Sequence, residues 1–285
     1  MSSSFLLGYE HGDCYTVCLL ADVGLIAAPV LELSSGTLVS FTAVDETPSG
    51  RFWRAEAILP PGPAAQMVTY RITLGAVPLA DRAGRFKWSF HLPAAGESAR
   101  LAYAACTGFS SQAVAAATAD PYALWRKLAA EHAAAPFALL RMGGDQLYAD
   151  AVLGLPGVRE WTEKSHAAML ACKPSAQLIA RLDCFYDELY RERWSQPDTA
   201  LMLASIPSVI MWDDHDIVDG WGSHDDVPQN TPLYRAISRT AANRSLLDSA
   251  QLTLGPHEGH FALGFDFADF RSSSWTTAPG ARSPG

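Results

Sequence analysis

The sequence predicts an α/β protein in which an antiparallel β-sandwich precedes a helix-covered, parallel sheet. Before residue 95, short apolar and aromatic runs are separated by turn sequences, which is typical of antiparallel β structure. After residue 100, apolar runs alternate with helical patterns, which is typical of a parallel sheet. Three of the later apolar runs end in Cys, Asp or His, so the carboxyl edge of that sheet is the expected functional site.

Residues 1–95 have the pattern of a small sandwich. Turn sequences at 60–63 and 81–84 separate runs rich in β-branched and aromatic residues. We expect strands at residues 15–20, 37–44, 52–59, 67–74 and 86–92. These strands form a sandwich of about 90 residues, and residues 93–100 are predicted to be a linker.

Residues 100–270 are predicted to form the second, helix-covered domain. Strands are expected at 101–105, 137–142, 206–212 and 261–267. Asp120 and Pro121 have the cap and first-turn proline of a helix, residues 175–193 carry one apolar face, and Thr231-Pro232 begins a further helix. Residues 271–285 are rich in Ser, Pro, Gly and Thr, and we expect a disordered tail there.

Composition excludes several functional classes. The chain has 285 residues and a formal net charge of −9, which argues against a broad nucleic-acid or anionic-membrane footprint. Five cysteines, an odd number in a chain of this length, argue against a disulfide framework and favour the cytoplasm. The first ten residues lack the features of an export signal, and no stretch has the length of a membrane span.

The first metal-seeking segment follows the predicted strand at 137–142. Asp145 stands after Gly143-Gly144, with the phenol of Tyr148 three residues later. A tight glycine turn lets the backbone approach a bound ion, and Asp145 is placed to bridge two metals. An isolated Gly-Asp pair is more often a strand-to-helix turn capped by the aspartate, so the interpretation depends on the other segments.

The other two segments follow the strands at 206–212 and 101–105. Residues 213–216 hold three carboxylates around one imidazole, a density of like charge that favours bound cations, although a solvated acidic loop fits equally well. His215 beside Asp214 suits acid catalysis on a phosphate, and the alternative is a structural histidine bonded to a neighbouring Asp. Cys106 lies at the same predicted edge, where a single cysteine is usually a buried structural thiol.

Together the three segments resemble a known family. Ala105-Cys106, the run GGDQLYAD and the run WDDHDI followed by DGWGS occur in the order found in the PhoD-like (alkaline phosphatase D) branch of the calcineurin-like metallophosphoesterases. The resemblance covers about residues 100–270. It implies phosphomonoesterases and phosphodiesterases with a binuclear metal site on a four-layered α/β/β/α core, often preceded by a β-sandwich.

The resemblance also implies a role for individual residues. Cys106 and Tyr148 would bind one metal, Asp145 would bridge the two metals, Asp214 would bind the second, and His215 would lie against the phosphate as acid or charge stabiliser. A metal-bound hydroxide is the implied nucleophile. A thiolate with a phenolate fits Fe(III), whereas oxygen ligands suit Ca²⁺ or another divalent ion. The expected substrate is a small-molecule phosphoester.

Four further acidic residues remain open to two interpretations. They either orient the metal ligands through hydrogen bonds or are ordinary loop acids. These residues are Asp150, Asp213, Asp216 and Asp219.

The sequence departs from the family beyond residue 270. Relatives complete the metal site with a later Gly-Asp-Val-His-like turn, and residues 255–260, which contain two histidines, are predicted to be a loop instead. We therefore expect a C-terminally shortened member with an incomplete core. Two hypotheses follow: metal-dependent hydrolysis of phosphate mono- or diesters, or a catalytically inactive fragment or binding module that lacks the C-terminal ligands. Oligomeric state stays open.

Overall fold

The computed structural model describes residues 4–10, 12–22, 24–48, 50–109, 111–224, 226–248, 263–268 and 270–274. Its strands are β1 (Ser4–Glu10), β2 (Cys14–Asp22), β3 (Val30–Leu33), β4 (Leu38–Ser40), β5 (Thr42–Thr47), β6 (Gly50–Ile58), β7 (Gln66–Leu74), β8 (Val77–Pro78), β9 (Trp88–Leu92), β10 (Leu101–Ala104), β11 (Leu139–Gly143), β12 (Ser208–Met211), β13 (Leu263–Phe267) and β14 (Phe270–Ser274). The α-helices are α1 (Gln112–Ala117), α2 (Ala123–Ala134), α3 (Arg159–Thr162), α4 (His166–Ala171), α5 (Ala176–Trp194), α6 (Pro197–Ser205), α7 (Asp226–Gln229) and α8 (Pro232–Asp248). Short 3-10 helices span Asp150–Gly154 and Asp214–Asp216.

A seven-stranded mixed sheet runs through the molecule in the order β10-β11-β12-β1-β2-β6-β5. The strands β10, β11 and β12 are parallel neighbours, and β1 joins them in parallel through the Gly8–Ser208 pair. The remaining strands, β2, β6 and β5, continue the sheet in antiparallel order. This arrangement places the ends of β10, β11 and β12 side by side, which is where the metal-seeking segments follow.

A second sheet packs on one face of the first. It has the order β4-β3-β7-β8, and β9 also pairs with β7. The core between the two sheets includes the fully buried side chains of Leu7, Leu19, Leu31 and Ile72, and Val209 of β12 belongs to the same cluster. Burial of these aliphatic side chains holds the sheets together as a sandwich.

Helices cover the other face of the seven-stranded sheet. Leu140 and Met142 of β11 pack there with Trp125 of α2, Trp194 of α5 and Met202 of α6. The helix α5 begins where Ser175 accepts a hydrogen bond from Leu178 N, and its buried side chains Leu178, Leu182, Tyr186 and Tyr190 follow helical spacing. The mixed α/β class with a sandwich of sheets, which the sequence predicts, is therefore confirmed.

Most predicted elements are present, with three local corrections. The run predicted as one strand at 37–44 is split at Phe41 into β4 and β5. The cap predicted at Asp120 is wrong, because α2 begins at Ala123 after Tyr122, which makes no side-chain cap bond, and Asp120 instead pairs with Arg126. Residues 271–274 of the predicted tail lie in β14, whereas 275–285 and the loop predicted at 255–260 lie outside the described residues.

The two predicted domains share the seven-stranded sheet. β1, β2, β5 and β6 come from residues 1–95, and β10, β11 and β12 come from the segment that follows. The proposed boundary near residue 95 therefore does not coincide with a break in the sheet, and the division into domains stays a prediction. Within the described residues, no helix has the length and apolar character that crossing a membrane requires.

Candidate metal centre

The three metal-seeking segments meet at one edge of the sheet, as their positions after neighbouring parallel strands require. Tyr103 of β10 pairs with Arg141 of β11, and Gly143 of β11 pairs with Met211 of β12. Beyond the strand ends, Cys106 N donates to the carbonyl oxygen of Gly144 at 3.0 Å. The pairing of β10 with β11 thus continues into the loops, which brings Cys106 next to the Asp145 turn.

Three predicted ligands have a left-handed backbone. The φ angles are +54° at Cys106, +55° at Asp145 and +64° at Tyr148. Such conformations are unfavourable for residues other than glycine and persist where surrounding contacts fix them. Thr107 supplies two of these contacts, because its N–H donates to Asp145 O at 2.9 Å and its hydroxyl donates to Gln146 O at 3.1 Å.

Gly144 allows the Asp145 loop to touch the loop that follows β12. Its φ is +111°, and a Cβ atom at this position would lie 2.6 Å from Cβ of Asp213. A larger residue would push the two loops apart. The glycine is therefore required by both its backbone conformation and the close approach.

Asp145 is shared by two groups of potential metal ligands. Its Oδ2 lies 3.3 Å from Sγ of Cys106, which is also hydrogen-bonded to Tyr148. Among the described residues, ligand atoms of Asp145, Asp214 and His215 form a second group, all within 4.8 Å of one another. The sharing of one carboxylate by two groups is the arrangement that a bridging ligand needs.

Three acidic groups of the centre, Asp145, Cys106 and Tyr148, have raised pKa values. Burial raises the pKa of Asp145, and the carboxylates of Asp213 and Asp214 raise it further. Burial and the Asp145 carboxylate raise the pKa of the Cys106 thiol, and the same two causes raise that of Tyr148 to about 12. A cation bound among these groups would lower all three pKa values.

The residues fit a metal ion. Asp145 is buried, and its Oδ1 has no hydrogen-bond partner within the part of the chain that the structure describes. An unpaired, buried carboxylate oxygen is costly unless a cation satisfies it. Thiol, phenol, carboxylate and imidazole groups at one place form a donor set that transition metals accept. The alternative in which Asp145 caps a helix does not hold, because the following 3-10 helix has Ala149 at its cap.

His215 is held in one orientation. Its Nδ1 lies 2.9 Å from Oδ2 of Asp150, whose Oδ1 accepts a hydrogen bond from Asp219 N at 2.7 Å. The imidazole stacks on the Tyr148 ring, with 4.4 Å between centroids and 28° between planes. Partial burial opposes protonation of His215, but the carboxylates of Asp150, Asp145 and Asp214 outweigh burial and raise its pKa.

The structure also brings in residues that the sequence did not single out. Gly220 N donates to Oδ2 of Asp214 at 2.8 Å, and Thr107 holds the Asp145 loop as described above. The DGWGS run was a signal for Gly220, since its glycine gives a backbone φ of +74°. No local pattern marks Thr107. Among the four open acids, Asp150 contacts His215, and Asp213 and Asp216 cap the 3-10 helix that carries His215.

A cavity of about 670 Å³ adjoins the centre. Tyr148 and Asp150, which both contact His215, are among its lining residues. Aromatic and aliphatic side chains form much of the remaining wall, namely Phe109, Tyr122, Phe185 and Leu189. Its size is in the range of sites that take small organic molecules.

Residues 95–255, which include every residue of the candidate centre, match a protein-family model described as PhoD related phosphatase. The uncharacterized protein YGR266W of Saccharomyces cerevisiae is 24% identical over 240 residues, which is 79% of this chain and 32% of the yeast protein. A solved structure described as "Structure of PhoD" has a TM-score of 0.58 at 14% identity and covers 93% of this chain and 49% of that chain.

The three comparisons differ in what they establish. The likeness to the PhoD structure shows the fold, and the chain spans about half of that structure and about a third of the yeast protein. The family model matches more than half of the chain, including the three segments around Cys106, Asp145 and Asp214. The protein therefore belongs to the PhoD-related phosphatase family.

Proposed function

We propose that the chain hydrolyses phosphate mono- or diesters with metal ions held by Cys106, Asp145, Tyr148 and Asp214. The observation that carries this proposal is the position of Asp145, whose carboxylate is shared by two ligand groups and has a buried oxygen without a partner among the described residues. When bound, metal ions at such a centre polarise the phosphoryl group and activate water.

The two groups of ligands differ in chemistry. Cys106 and Tyr148 supply a thiol and a phenol, which suit a ferric ion once deprotonated. Asp214 supplies a carboxylate, which suits Ca²⁺ or another hard divalent ion. Two metal ions of different type, with Asp145 between them, are therefore part of the proposal.

His215 is proposed as the acid that protonates the leaving alcohol. Its Nδ1–H is directed to the carboxylate of Asp150, so the proton to be transferred is on Nε2. The raised pKa favours the protonated imidazole at the start of the reaction. Asp150 keeps the ring in this orientation, and the stacked Tyr148 ring restricts its rotation.

The alcohol part of the substrate is proposed to lie in the 670 Å³ cavity. Tyr148 and Asp150, which contact His215, line this cavity, and Phe109, Phe185 and Leu189 add apolar wall area. A small organic phosphoester is therefore the proposed substrate class. The five cysteines, all within the described residues, form no disulfide bonds, which supports a cytoplasmic location as part of the proposal.

The first experiment measures metal content and hydrolysis of a chromogenic phosphodiester and a chromogenic phosphomonoester. We expect about two metal ions per chain and hydrolysis that a chelator abolishes. Asp145→Asn and Cys106→Ala should lose both metal and activity, whereas His215→Ala should lose activity and keep most of the metal. Cys184→Ala, which changes a free cysteine on α5, is the control for Cys106→Ala and should retain both.

The result that would contradict the proposal is a folded, metal-free protein that hydrolyses neither ester after incubation with iron and divalent ions. That result favours the inactive fragment or binding module. Equal metal loss in His215→Ala and Asp145→Asn would instead make His215 a metal ligand rather than the acid.

A further inference from the structure

A buried carboxylate lies between the loops that carry Asp145 and Asp214. Only 1% of Asp216 is exposed, and it belongs to neither ligand group. A carboxylate loses much hydration free energy on burial, so its position must be stabilised by strong hydrogen bonds. The proposed chemistry gives Asp216 no direct part, and its contacts therefore need another explanation.

Each oxygen of Asp216 binds a different loop. Oδ1 accepts hydrogen bonds from Gln146 N at 2.8 Å and from Leu147 N at 2.9 Å, immediately after Asp145. Oδ2 accepts a hydrogen bond from Asp213 N at 2.9 Å, immediately before Asp214. One rigid carboxylate thus links the backbones on both sides of the centre.

The Asp145 loop is fixed from the opposite side as well. Thr107 donates from its backbone to Asp145 O and from its hydroxyl to Gln146 O. The peptide groups next to Asp145 therefore have one partner on the β10 side and another on the β12 side. This double attachment accounts for the left-handed conformation that Asp145 keeps.

We infer that Asp216 is a positioning residue that sets the separation of Asp145 and Asp214 and thereby the metal affinity of the centre. The inference rests on the proposed function, because it concerns the same metal ligands. An amide in place of the carboxylate has only one accepting oxygen, so the Asp145 loop or the Asp213 amide loses its hydrogen bond. Loss of partners that orient metal ligands typically lowers metal affinity about 10- to 100-fold.

The test is a titration of the metal-free protein with Co²⁺, followed by its visible absorption and by calorimetry. Asp216→Asn is expected to bind Co²⁺ about 10- to 100-fold more weakly than the wild type. Asp187→Asn is the matched control, because Asp187 is also 1% exposed but pairs with Arg191 and Arg244 away from the centre. Both variants should lose stability without metal, but only Asp216→Asn should lose Co²⁺ affinity.

The outcomes distinguish failure of the positioning role of Asp216 from failure of the proposed metal-dependent hydrolysis. A folded wild-type protein that binds neither Co²⁺ nor iron and hydrolyses neither ester overturns the proposed function and the inference with it. If the wild type and Asp216→Asn bind Co²⁺ with the same affinity, the inference alone is overturned. The same holds if Asp187→Asn loses as much Co²⁺ affinity as Asp216→Asn. If Asp216→Asn does not fold, Asp216→Glu keeps both oxygens but displaces them by one methylene, and unchanged Co²⁺ affinity in that variant is also contrary to the inference.

Discussion

Cys106, Asp145 and Tyr148 combine an unfavourable backbone with chemically active side chains. A left-handed conformation at a residue other than glycine costs on the order of 1–3 kcal/mol, and such residues are common at functional sites. The sequence identified these three residues through their order in the chain. It could not predict their backbone conformation, because that depends on contacts with Thr107, Asp216 and other residues distant in sequence.

Gly144→Ala tests the close approach of the two loops. The new Cβ would lie 2.6 Å from Cβ of Asp213 and would sit at a φ of +111°. We expect a loss of unfolding free energy of about 3 kcal/mol or more, since backbone strain and steric overlap add. Urea denaturation of the metal-free protein measures this loss, and Co²⁺ affinity should fall because Asp213 moves with Asp214.

Gly36→Ala is the control that measures backbone strain without steric overlap of the new Cβ atom. Gly36 has a φ of +87°, and no atom lies within 4 Å of the position its Cβ would take. This variant should lose only about 1 kcal/mol and keep its Co²⁺ affinity. If Gly144→Ala and Gly36→Ala lose the same unfolding free energy, the close contact between the Asp145 and Asp213 loops does not restrict residue 144.

At the scale of elements, sequence patterns predicted runs with strong local signals and missed those fixed by distant contacts. The helix α5 has a continuous apolar face and was predicted almost to the residue. The strand β1 was missed because it is buried along nearly its whole length between β2 and β12 and so lacks the alternation of a half-buried strand. Asp120-Pro121 has the local pattern of a helix start, but α2 begins at Ala123, and Asp120 forms an exposed ion pair with Arg126 instead of capping the helix.

The C-terminal end of α2 gives a prediction on pH. His132 is buried there, and its Nδ1 accepts a hydrogen bond from Phe137 N at 3.1 Å, which requires the unprotonated nitrogen. Burial lowers the pKa of His132, and the charges of His91 and Arg100 lower it further. Below the usual histidine pKa of about 6.5, the unfolded chain binds a proton that the folded chain resists, so stability falls as pH falls.

The measurement compares unfolding free energies of the wild type and His132→Gln at several pH values. At about pH 7 the variant should be about 1 kcal/mol less stable, because the hydrogen bond to Phe137 N is weakened. This difference in unfolding free energy should shrink towards about pH 5. There the wild type loses stability because folding must keep a proton off His132, whereas the variant has no histidine at this site. His166→Gln, at an exposed position on α4, should follow the wild type. If the difference in unfolding free energy between the wild type and His132→Gln is the same at every pH, His132 is not the source of the pH dependence.

At the scale of the whole molecule, the pairing of β1 with β12 joins regions 200 residues apart in the chain. The parallel pair Gly8–Ser208 makes one sheet of strands that the sequence predicts in separate domains. Local patterns contain no information on which strands pair over such a distance. The sequence therefore predicted the two architectures, a sandwich and a helix-covered sheet, but not the pairing of β1 with β12.

The shared sheet predicts that the two parts of the chain unfold together. Removal of residues 1–95 would leave β12 without its neighbour β1 and would expose Ala204 and Val209, which are 1% and 0% exposed. The buried hydrogen bond from the Tyr70 hydroxyl to Ala204 O, 2.6 Å long, would be lost as well. An unpaired strand edge beside newly exposed apolar surface favours aggregation over folding.

We expect residues 96–285 alone to be aggregated or to lack a cooperative transition. The full chain should show one transition by far-ultraviolet circular dichroism and tryptophan fluorescence. Tyr70→Phe, which removes only the hydroxyl, should shift that single transition by about 1 kcal/mol without splitting it. A monomeric fragment 96–285 that unfolds cooperatively and binds Co²⁺ as the full chain does would instead establish the boundary near residue 95 as a true domain boundary.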